Sequence, residues 1–261
     1  MLNKGQVCIV TGGGRGIGRG IATVLAREGA SVVVAARNQE NLETTARSIC
    51  DSCGLAYAIA VDITDRSMVR EFVNDVLQKF GKIDALVNNA GLMPMPATLL
   101  DTEDSVWDEL FAVNATGTFN ITKAVLPSMI EKGFGRIINI SSVSAKYTWA
   151  HFVAYAAAKG SLHAFTTALA KEVAPNGITV NCVLPGFTRT EEMERIWGTI
   201  AESAGTTIDE LVNPILKDKV PVNRWLQPEE IGNMVAFLAS RKADGITGHL
   251  HYVDGGIDAH D

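Results

Sequence analysis

Three side chains in the middle of the chain are spaced for proton transfer. Tyr155 and Lys159 lie one helical turn apart, and Ser142 precedes them. A phenol normally titrates near pKa ~10 and is a weak base at neutral pH, but a lysine four residues later faces the same side of a helix and favours the phenolate. Lowering the phenol pKa by about three units requires roughly 4 kcal/mol, which Lys159 and one further cation could supply. The spacing therefore predicts tyrosine-based acid–base chemistry.

A glycine-rich turn near the N-terminus predicts a nucleotide site. The run Thr11-Gly-Gly-Gly-Arg-Gly-Ile-Gly18 follows a short apolar strand and opens a helix. Glycines at positions 12, 16 and 18 permit a tight turn and let a diphosphate approach the helix N-terminus. A turn that merely packs is the alternative, but the strand before it and the helix and strand after it fit a dinucleotide-binding unit.

The end of the second strand distinguishes between the two nicotinamide cofactors. An acidic residue there would accept hydrogen bonds from the ribose 2′-hydroxyl of NAD, whereas this chain has Ala36 and Arg37. An arginine can instead bind a 2′-phosphate, and Arg15 projects toward the same region. We expect NADP(H), the alternative being that both arginines are solvated and NAD is used. Asp62, with Ile63 beside it, either accepts from the adenine amino group or caps a helix.

Strands and helices alternate along the whole chain. Strands are predicted at Gln6–Val10, Ser31–Ala36, Ala56–Val61, Ile83–Val87, Gly135–Ile140, Ile178–Val183 and His249–Val253. Helices are predicted at Gly16–Glu28, Gln39–Asp51, Asp65–Phe80, Glu103–Phe111, Asn114–Glu131 and Phe152–Val173, with another from Gln227. This order predicts a doubly wound parallel sheet of Rossmann type in one three-layer α/β/α domain over residues 1–261. The segment 190–220 is either a substrate lid or a fixed excursion.

Composition excludes several classes of protein. The 261 residues are 47% hydrophobic and carry a formal charge of −6, which disfavours a nucleic-acid surface. The apolar stretches are too short to span a membrane, and no signal peptide is apparent at the start, so a cytoplasmic enzyme is expected. Cys50 and Cys53 form a C-x-x-C spacing without a second ligand pair, and we expect neither zinc nor another metal.

In their order along the chain, these motifs resemble those of the short-chain dehydrogenase/reductase superfamily in its single-domain form. The elements that carry the resemblance are Thr11–Gly18, Asp62, Asn88-Asn89-Ala90-Gly91, Asn114, Ser142, Tyr155-x-x-x-Lys159 and Pro185-Gly186. The resemblance implies that Tyr155 is the general acid or base and that Ser142 hydrogen-bonds the substrate oxygen. It also implies that Lys159 binds the nicotinamide ribose and lowers the tyrosine pKa, and that Asn114 holds a water leading to solvent.

The resemblance also extends to further cofactor contacts and to assembly. Thr188 and Thr190 would contact the carboxamide and the phosphates. Members commonly pair the helices that correspond to Asn114–Glu131 and Phe152–Val173, so a homo-oligomer, either a tetramer or a dimer, is expected. Gly160 would then serve close packing between subunits. Taken singly, each catalytic candidate could be a strand-end, capping, core or solvated residue.

The substrate is the least determined part of the function. Residues expected near the nicotinamide are Met93, Ser144, Trp149 and Phe187, with Met95, Tyr147 and His151 nearby. Their mostly apolar character indicates a hydrophobic alcohol or ketone, although such residues also fill ordinary cores. His151 is expected to line a pocket or face solvent rather than to act chemically.

One function is favoured over two alternatives. The first is an NADP(H)-dependent oxidoreductase that interconverts a secondary alcohol and a ketone, with a small cyclic, steroid-like or sugar-derived substrate. The second resembles a 3-oxoacyl-carrier-protein reductase, which would need a cationic docking surface for an acidic carrier; the acidic run Glu191-Glu-Met-Glu194 does not favour it. The third is a nucleotide-binding scaffold without turnover, which the presence of both Tyr155 and Lys159 disfavours.

Overall fold

A seven-stranded parallel sheet forms the centre of the computed structural model, which describes residues 1–52 and 54–259. The strands are β1 (Val7–Thr11), β2 (Ser31–Ala36), β3 (Leu55–Ala60), β4 (Ala85–Asn88), β5 (Gly135–Ile140), β6 (Ile178–Pro185) and β7 (Leu250–Val253). Their order across the sheet is β3-β2-β1-β4-β5-β6-β7, and all neighbours are parallel. The predicted doubly wound Rossmann-type sheet is confirmed.

Helices connect the strands and cover both faces of the sheet. They are α1 (Gly16–Arg27), α2 (Gln39–Asp51), α3 (Arg66–Phe80), α4 (Asp104–Phe111), α5 (Thr118–Lys132), α6 (Val153–Val173), α7 (Glu191–Ser203), α8 (Ile208–Lys219) and α9 (Pro228–Ala239). Among the described residues, no helix is long and apolar enough to cross a membrane.

The strands are apolar on both faces, and each face packs against its own set of helices. In β1, Cys8 and Val10 join a core that contains residues of α1, α2 and α9, whereas Val7 and Ile9 join one formed with α3, α5 and α6. Successive strand residues point to opposite faces, so one run of apolar residues builds both cores. The result is the expected three-layer α/β/α arrangement.

Two predicted elements differ from the structure. Asn114 was expected to begin a helix, but it lies inside a π-helical stretch (112–117) that joins α4 to α5 without a break. The segment 190–220, for which no helix bounds were predicted, contains the two helices α7 and α8, and α8 begins with a capping box between Thr207 and Glu210. The remaining boundaries shift by one or two residues, because hydrophobic periodicity does not mark where hydrogen bonding ends. Cys53, part of the C-x-x-C spacing, lies outside the described residues.

Candidate active site

One cavity of about 810 Å³ opens at the carboxyl ends of the central strands. The strand order reverses between β1 and β4, and this switch point is where doubly wound sheets bind ligands. The cavity wall contains most of the candidates from the sequence: Gly12, Arg15, Gly16, Ile17, Gly18, Arg37, Asp62, Ile63, Asn89, Ala90, Gly91, Met93, Ser142, Ser144, Trp149, Tyr155, Lys159, Pro185, Gly186, Phe187, Thr188 and Thr190. Asn114 is not part of this wall, and neither are Met95 and Tyr147.

The glycine loop is shaped so closely that side chains would not fit. A β-carbon on Gly18 would lie 2.1 Å from the carbonyl oxygen of Gly12, and one on Gly12 would lie 2.8 Å from Asn89 Nδ2. Gly12 also has φ +64°, in the left-handed region. Asn89 Nδ2 donates to the carbonyls of Thr11, at 2.9 Å, and Gly12, at 3.2 Å. The loop and the first turn of α1 therefore form a cradle that suits a dinucleotide diphosphate.

The polar side chains expected around the cofactor have further partners. Asp62 Oδ1 accepts hydrogen bonds from Thr64 N, at 2.9 Å, and Thr64 Oγ1, at 2.7 Å, so it fixes a turn while facing the cavity. The residue that caps α3 is Asp65, not Asp62. Thr190 Oγ1 accepts from Met193 N and caps α7, whereas Thr188 Oγ1 donates to the Gly186 carbonyl. Arg37 is exposed at the end of β2.

The proton-transfer candidates converge on one side of the cavity. Tyr155 and Lys159 are buried on α6, and the hydroxyl of Ser142, just beyond β5, is hydrogen-bonded to the Tyr155 hydroxyl. Lys159 Nζ donates to the carbonyl oxygen of Ile140 at 2.9 Å. Two hydroxyl groups thus meet at one point of the wall, where both could contact a single substrate oxygen.

The pKa of Tyr155 differs from the sequence-based expectation. Burial raises it above its ordinary value, and the hydrogen bond from Ser142 only partly opposes that rise. The same burial lowers the pKa of Lys159 to about 8. The expectation that the protein itself makes the phenol more acidic is therefore wrong in direction, because desolvation disfavours the phenolate and the ammonium alike.

Asn114 lies behind the proton-transfer candidates. Its Nδ2 donates to the Leu92 carbonyl at 3.0 Å, and its Oδ1 accepts from Leu92 N at 2.9 Å. A β-carbon on Gly91 would lie 2.7 Å from Asn114 Oδ1 and 2.9 Å from Lys159 Nζ, so both polar groups face the same glycine. The π-helical turn around Asn114 is of a kind often found at functional sites, and the sequence carries no local signal for it.

Aromatic side chains form the distal wall of the cavity. Phe187 contacts Trp149, with ring centroids 5.7 Å apart, and Trp197, at 6.5 Å. Three isoleucines of α7 and α8 also face the cavity but were not foreseen: Ile196, Ile200 and Ile215. The first two are four residues apart on α7 and lie on one face of it, which is the signal that could have identified them. His151 lines the cavity and adopts φ +72°.

A partly buried pair, Ser141 and His163, supports α6 and was also missed. Ser141 Oγ donates to the Lys159 carbonyl at 3.0 Å and lies 3.0 Å from His163 Nε2. Burial lowers the pKa of His163. These contacts connect the end of β5 to the backbone of α6, over sequence separations that no local pattern reveals.

Comparison with known proteins gives a consistent assignment. Residues 12–258 match the family described as Enoyl-(Acyl carrier protein) reductase. The chain is 35% identical to the 3-oxoacyl-(acyl-carrier-protein) reductase FabG of Thermotoga maritima, covering 98% of this chain and 99% of that protein.

Two solved structures are similar over almost the full length. A substituted actinorhodin polyketide ketoreductase solved with NADPH is 34% identical, with a TM-score of 0.91 and coverage of 98% of both chains. Levodione reductase is 27% identical, with a TM-score of 0.92 and coverage of 99% of both chains. The chain therefore belongs to the short-chain dehydrogenase/reductase superfamily of oxidoreductases.

Proposed function

We propose that this protein is an NADP(H)-dependent oxidoreductase that interconverts a secondary alcohol and a ketone, with Tyr155 as the general acid or base. The observation that carries the proposal is that the paired hydroxyls of Ser142 and Tyr155 share one cavity with the glycine cradle. Reduction of a ketone requires a hydride donor at the carbonyl carbon and a proton donor at the carbonyl oxygen, so the cofactor and the proton-transfer group must both reach one carbonyl group.

The raised pKa of Tyr155 favours reduction of the ketone. At neutral pH the buried phenol is protonated, so it can donate to the substrate oxygen as negative charge develops there. Ser142 would donate a second hydrogen bond to the same oxygen. In the reverse direction the phenol must first lose its proton. A nearby positive charge, such as that of an oxidised nicotinamide, would favour this loss.

The cofactor assignment depends on the cradle and on two arginines. The glycine loop and the N-terminus of α1 suit the diphosphate, and Lys159 would hold the nicotinamide ribose. Arg37 at the end of β2 leaves no acidic acceptor for a ribose 2′-hydroxyl but offers a partner for a 2′-phosphate, with Arg15 across the loop. Similarity to a ketoreductase solved with NADPH supports this choice. When bound, the cofactor would supply or accept the hydride.

The substrate side is consistent with a hydrophobic ketone. Trp149, Phe187 and Trp197 provide flat apolar surface on which a cyclic ketone could pack. A second cavity of about 480 Å³ adjoins the first, and its wall includes Asp101 and Glu103. This acidic surface would repel an anionic carrier arm. A 3-oxoacyl thioester remains the second candidate, because a relative over the full length bears that name.

The decisive experiment is a cofactor-coupled screen with NADPH and NADH side by side. Cyclic and bicyclic ketones, acetoacetyl thioester and an enoyl thioester should be compared at matched concentrations. We expect turnover of cyclic ketones with NADPH to exceed all other combinations. Preferential turnover of acetoacetyl thioester would favour the second candidate. Tight NADPH binding without oxidation on any substrate would instead support the non-catalytic binding protein.

Substitution of the proposed acid tests the mechanism directly. Tyr155→Phe should lower turnover by about 10²–10⁴-fold, the range that general acid–base catalysis contributes, while NADPH affinity changes little. Affinity should be measured by quenching of tryptophan fluorescence, and Tyr57→Phe provides a control on an edge strand remote from the cavity. Retention of most activity in Tyr155→Phe would contradict the assigned role.

A further inference from the structure

The acidic start of α7 lies directly on the cofactor cradle. Glu191 Oε2 accepts a hydrogen bond from Gly16 N at 3.0 Å, and its other oxygen is hydrogen-bonded to Arg19. The next residue, Glu192, pairs with Arg15 at 3.4 Å. These contacts join residues about 175 positions apart in the sequence. They close α7 onto the first turn of α1.

Glu191 uses the same donor that a diphosphate would use. Gly16 is the first residue of α1, and its N–H belongs to the unpaired donors of a helix N-terminus, which favour anions. A carboxylate at 3.0 Å from this nitrogen satisfies the donor and occupies the space in front of it. The approach is close, because a β-carbon on Gly16 would lie 3.3 Å from Thr190 Cβ.

The carboxylate is held in its ionised form. Burial acts to raise the pKa of Glu191, but backbone hydrogen bonds and the charge of Arg19 outweigh it, so the pKa is lower than usual. Glu191 therefore presents a full negative charge to the cradle at neutral pH. Glu192 likewise engages Arg15, one of the two arginines proposed to bind a 2′-phosphate.

Resting on the proposed function, we infer that Glu191 and Glu192 determine cofactor affinity and selectivity by competing with the phosphates of NADP(H). Glu191 competes with the diphosphate, which NADP(H) and NAD(H) share. Glu192 competes for Arg15 with the 2′-phosphate, which only NADP(H) carries. Cofactor binding then releases both carboxylates from the cradle and separates the start of α7 from α1.

The test compares the affinities of NADPH and NADH for three matched variants. Glu191→Gln should raise the affinity for both dinucleotides alike, by about three- to tenfold, because the charged hydrogen bond that competes with the diphosphate becomes a neutral one. Glu192→Gln should raise the affinity for NADPH and leave the affinity for NADH nearly unchanged. Glu194→Gln is the control: it lies on the same helix but pairs with Arg189 at 2.9 Å, away from the loop. Fluorescence titration or calorimetry gives each dissociation constant.

A second variant separates charge from hydrogen bonding. A glutamine at position 191 can still accept a hydrogen bond from Gly16 N, whereas an alanine cannot. The affinity of Glu191→Ala for both dinucleotides should therefore rise at least as much as that of Glu191→Gln. Unchanged or weaker binding in both variants at position 191 would overturn the role of Glu191, as would an equal gain in Glu194→Gln. Equal effects of Glu192→Gln on NADPH and NADH would overturn its role in selectivity.

The outcomes also separate this inference from the proposed function. If the unsubstituted protein binds neither dinucleotide, the proposed function and the inference both fail. If it binds NADPH and the substitutions have no effect, only the inference fails. If the expected affinity changes appear but no ketone is reduced, the competition stands and the proposed reaction fails. Circular dichroism melting curves verify that each variant is folded.

Discussion

The glycine cradle and the segment 190–220 line the same cavity and touch each other, but they are held in different ways. The cradle is fixed by backbone geometry, since a β-carbon at Gly18 would contact the Gly12 carbonyl at 2.1 Å. The other segment buries Val212 and Leu216 beneath it, yet its polar contacts to the cradle are ion pairs between partly exposed side chains and the hydrogen bond from Gly16 N to Glu191. Exposed pairs contribute little to stability. The cofactor wall is therefore rigid, whereas the contact of α7 with it can be released.

The largest effect should come from breaking the rigid wall. Gly18→Ala should abolish cofactor binding and lower the free energy of unfolding by about 3 kcal/mol or more, because the neighbouring backbone cannot move aside. Gly198→Ala in α7 is the matched control, since its β-carbon would meet nothing closer than Ile208 Cδ1 at 3.8 Å. Urea denaturation and NADPH titration measure both effects. Similar losses in the two variants would mean that the walls do not differ.

Lys159 tests how a buried charge in the cavity wall affects the stability of the protein. The pKa of Lys159 in the folded protein, about 8, lies below the ordinary value of 10.5. Between pH 8 and 10.5 the unfolded chain therefore binds more protons than the folded one, so the stability that Lys159 contributes rises with pH over this range. Lys159→Met should thus be more stable than the parent at pH 7, by up to about 3 kcal/mol, and this advantage should shrink from pH 8 to 10.5.

Urea denaturation between pH 7 and 10.5 measures that difference. Lys171→Met, exposed on the same helix, controls for the removal of a lysine. A stability difference between Lys159→Met and the parent that does not change with pH would show that the buried amine does not titrate in this range.

Arg37 tests whether an exposed side chain beside the glycine cradle contributes to cofactor binding. Arg37→Ala should weaken NADPH binding by about 10–100-fold, the equivalent of losing one or two charge-assisted hydrogen bonds, and should leave NADH affinity unchanged. Arg47→Ala on α2 is the control, because Arg47 does not line the cavity. Parallel titrations with both dinucleotides decide the matter, and an equal loss for NADPH and NADH would remove Arg37 from cofactor selection.

The smallest expected change in the fold concerns Gly160. Among the residues that the structure describes, a β-carbon there would have only the Ala145 carbonyl oxygen within 4 Å, at 3.9 Å, so alanine should fit and favour the helix by up to about 1 kcal/mol. If Gly160 serves packing between subunits, as the sequence predicts, Gly160→Ala should lower the oligomeric state while the melting temperature of the fold is kept. Analytical ultracentrifugation measures this, and an unchanged assembly would exclude the packing role.

Most of the fold was predictable because its signals are local. Apolar runs such as Val32–Ala35 mark strands covered on both faces, and the turn from Gly12 to Gly18 needs glycine wherever it occurs. Tyr155 and Lys159 share a helix face by spacing alone. The helices α7 and α8 were not delimited from the sequence, although their apolar residues recur at helical spacing, as Ile208, Leu211, Val212, Ile215 and Leu216 do in α8. Their inner face packs against Phe187, which lies outside both helices.

What the sequence by itself determined is the order of elements, the shape of the cradle and the spacing of the proposed acid–base pair, because these depend on periodicity, on missing β-carbons and on a four-residue spacing. Only the tertiary structure decided the direction of the Tyr155 pKa, the π-helical setting of Asn114 and the contact of Glu191 with Gly16. Burial and contacts between distant residues produce these features. Such quantities arise from the packed molecule as a whole, and no short stretch of sequence encodes them.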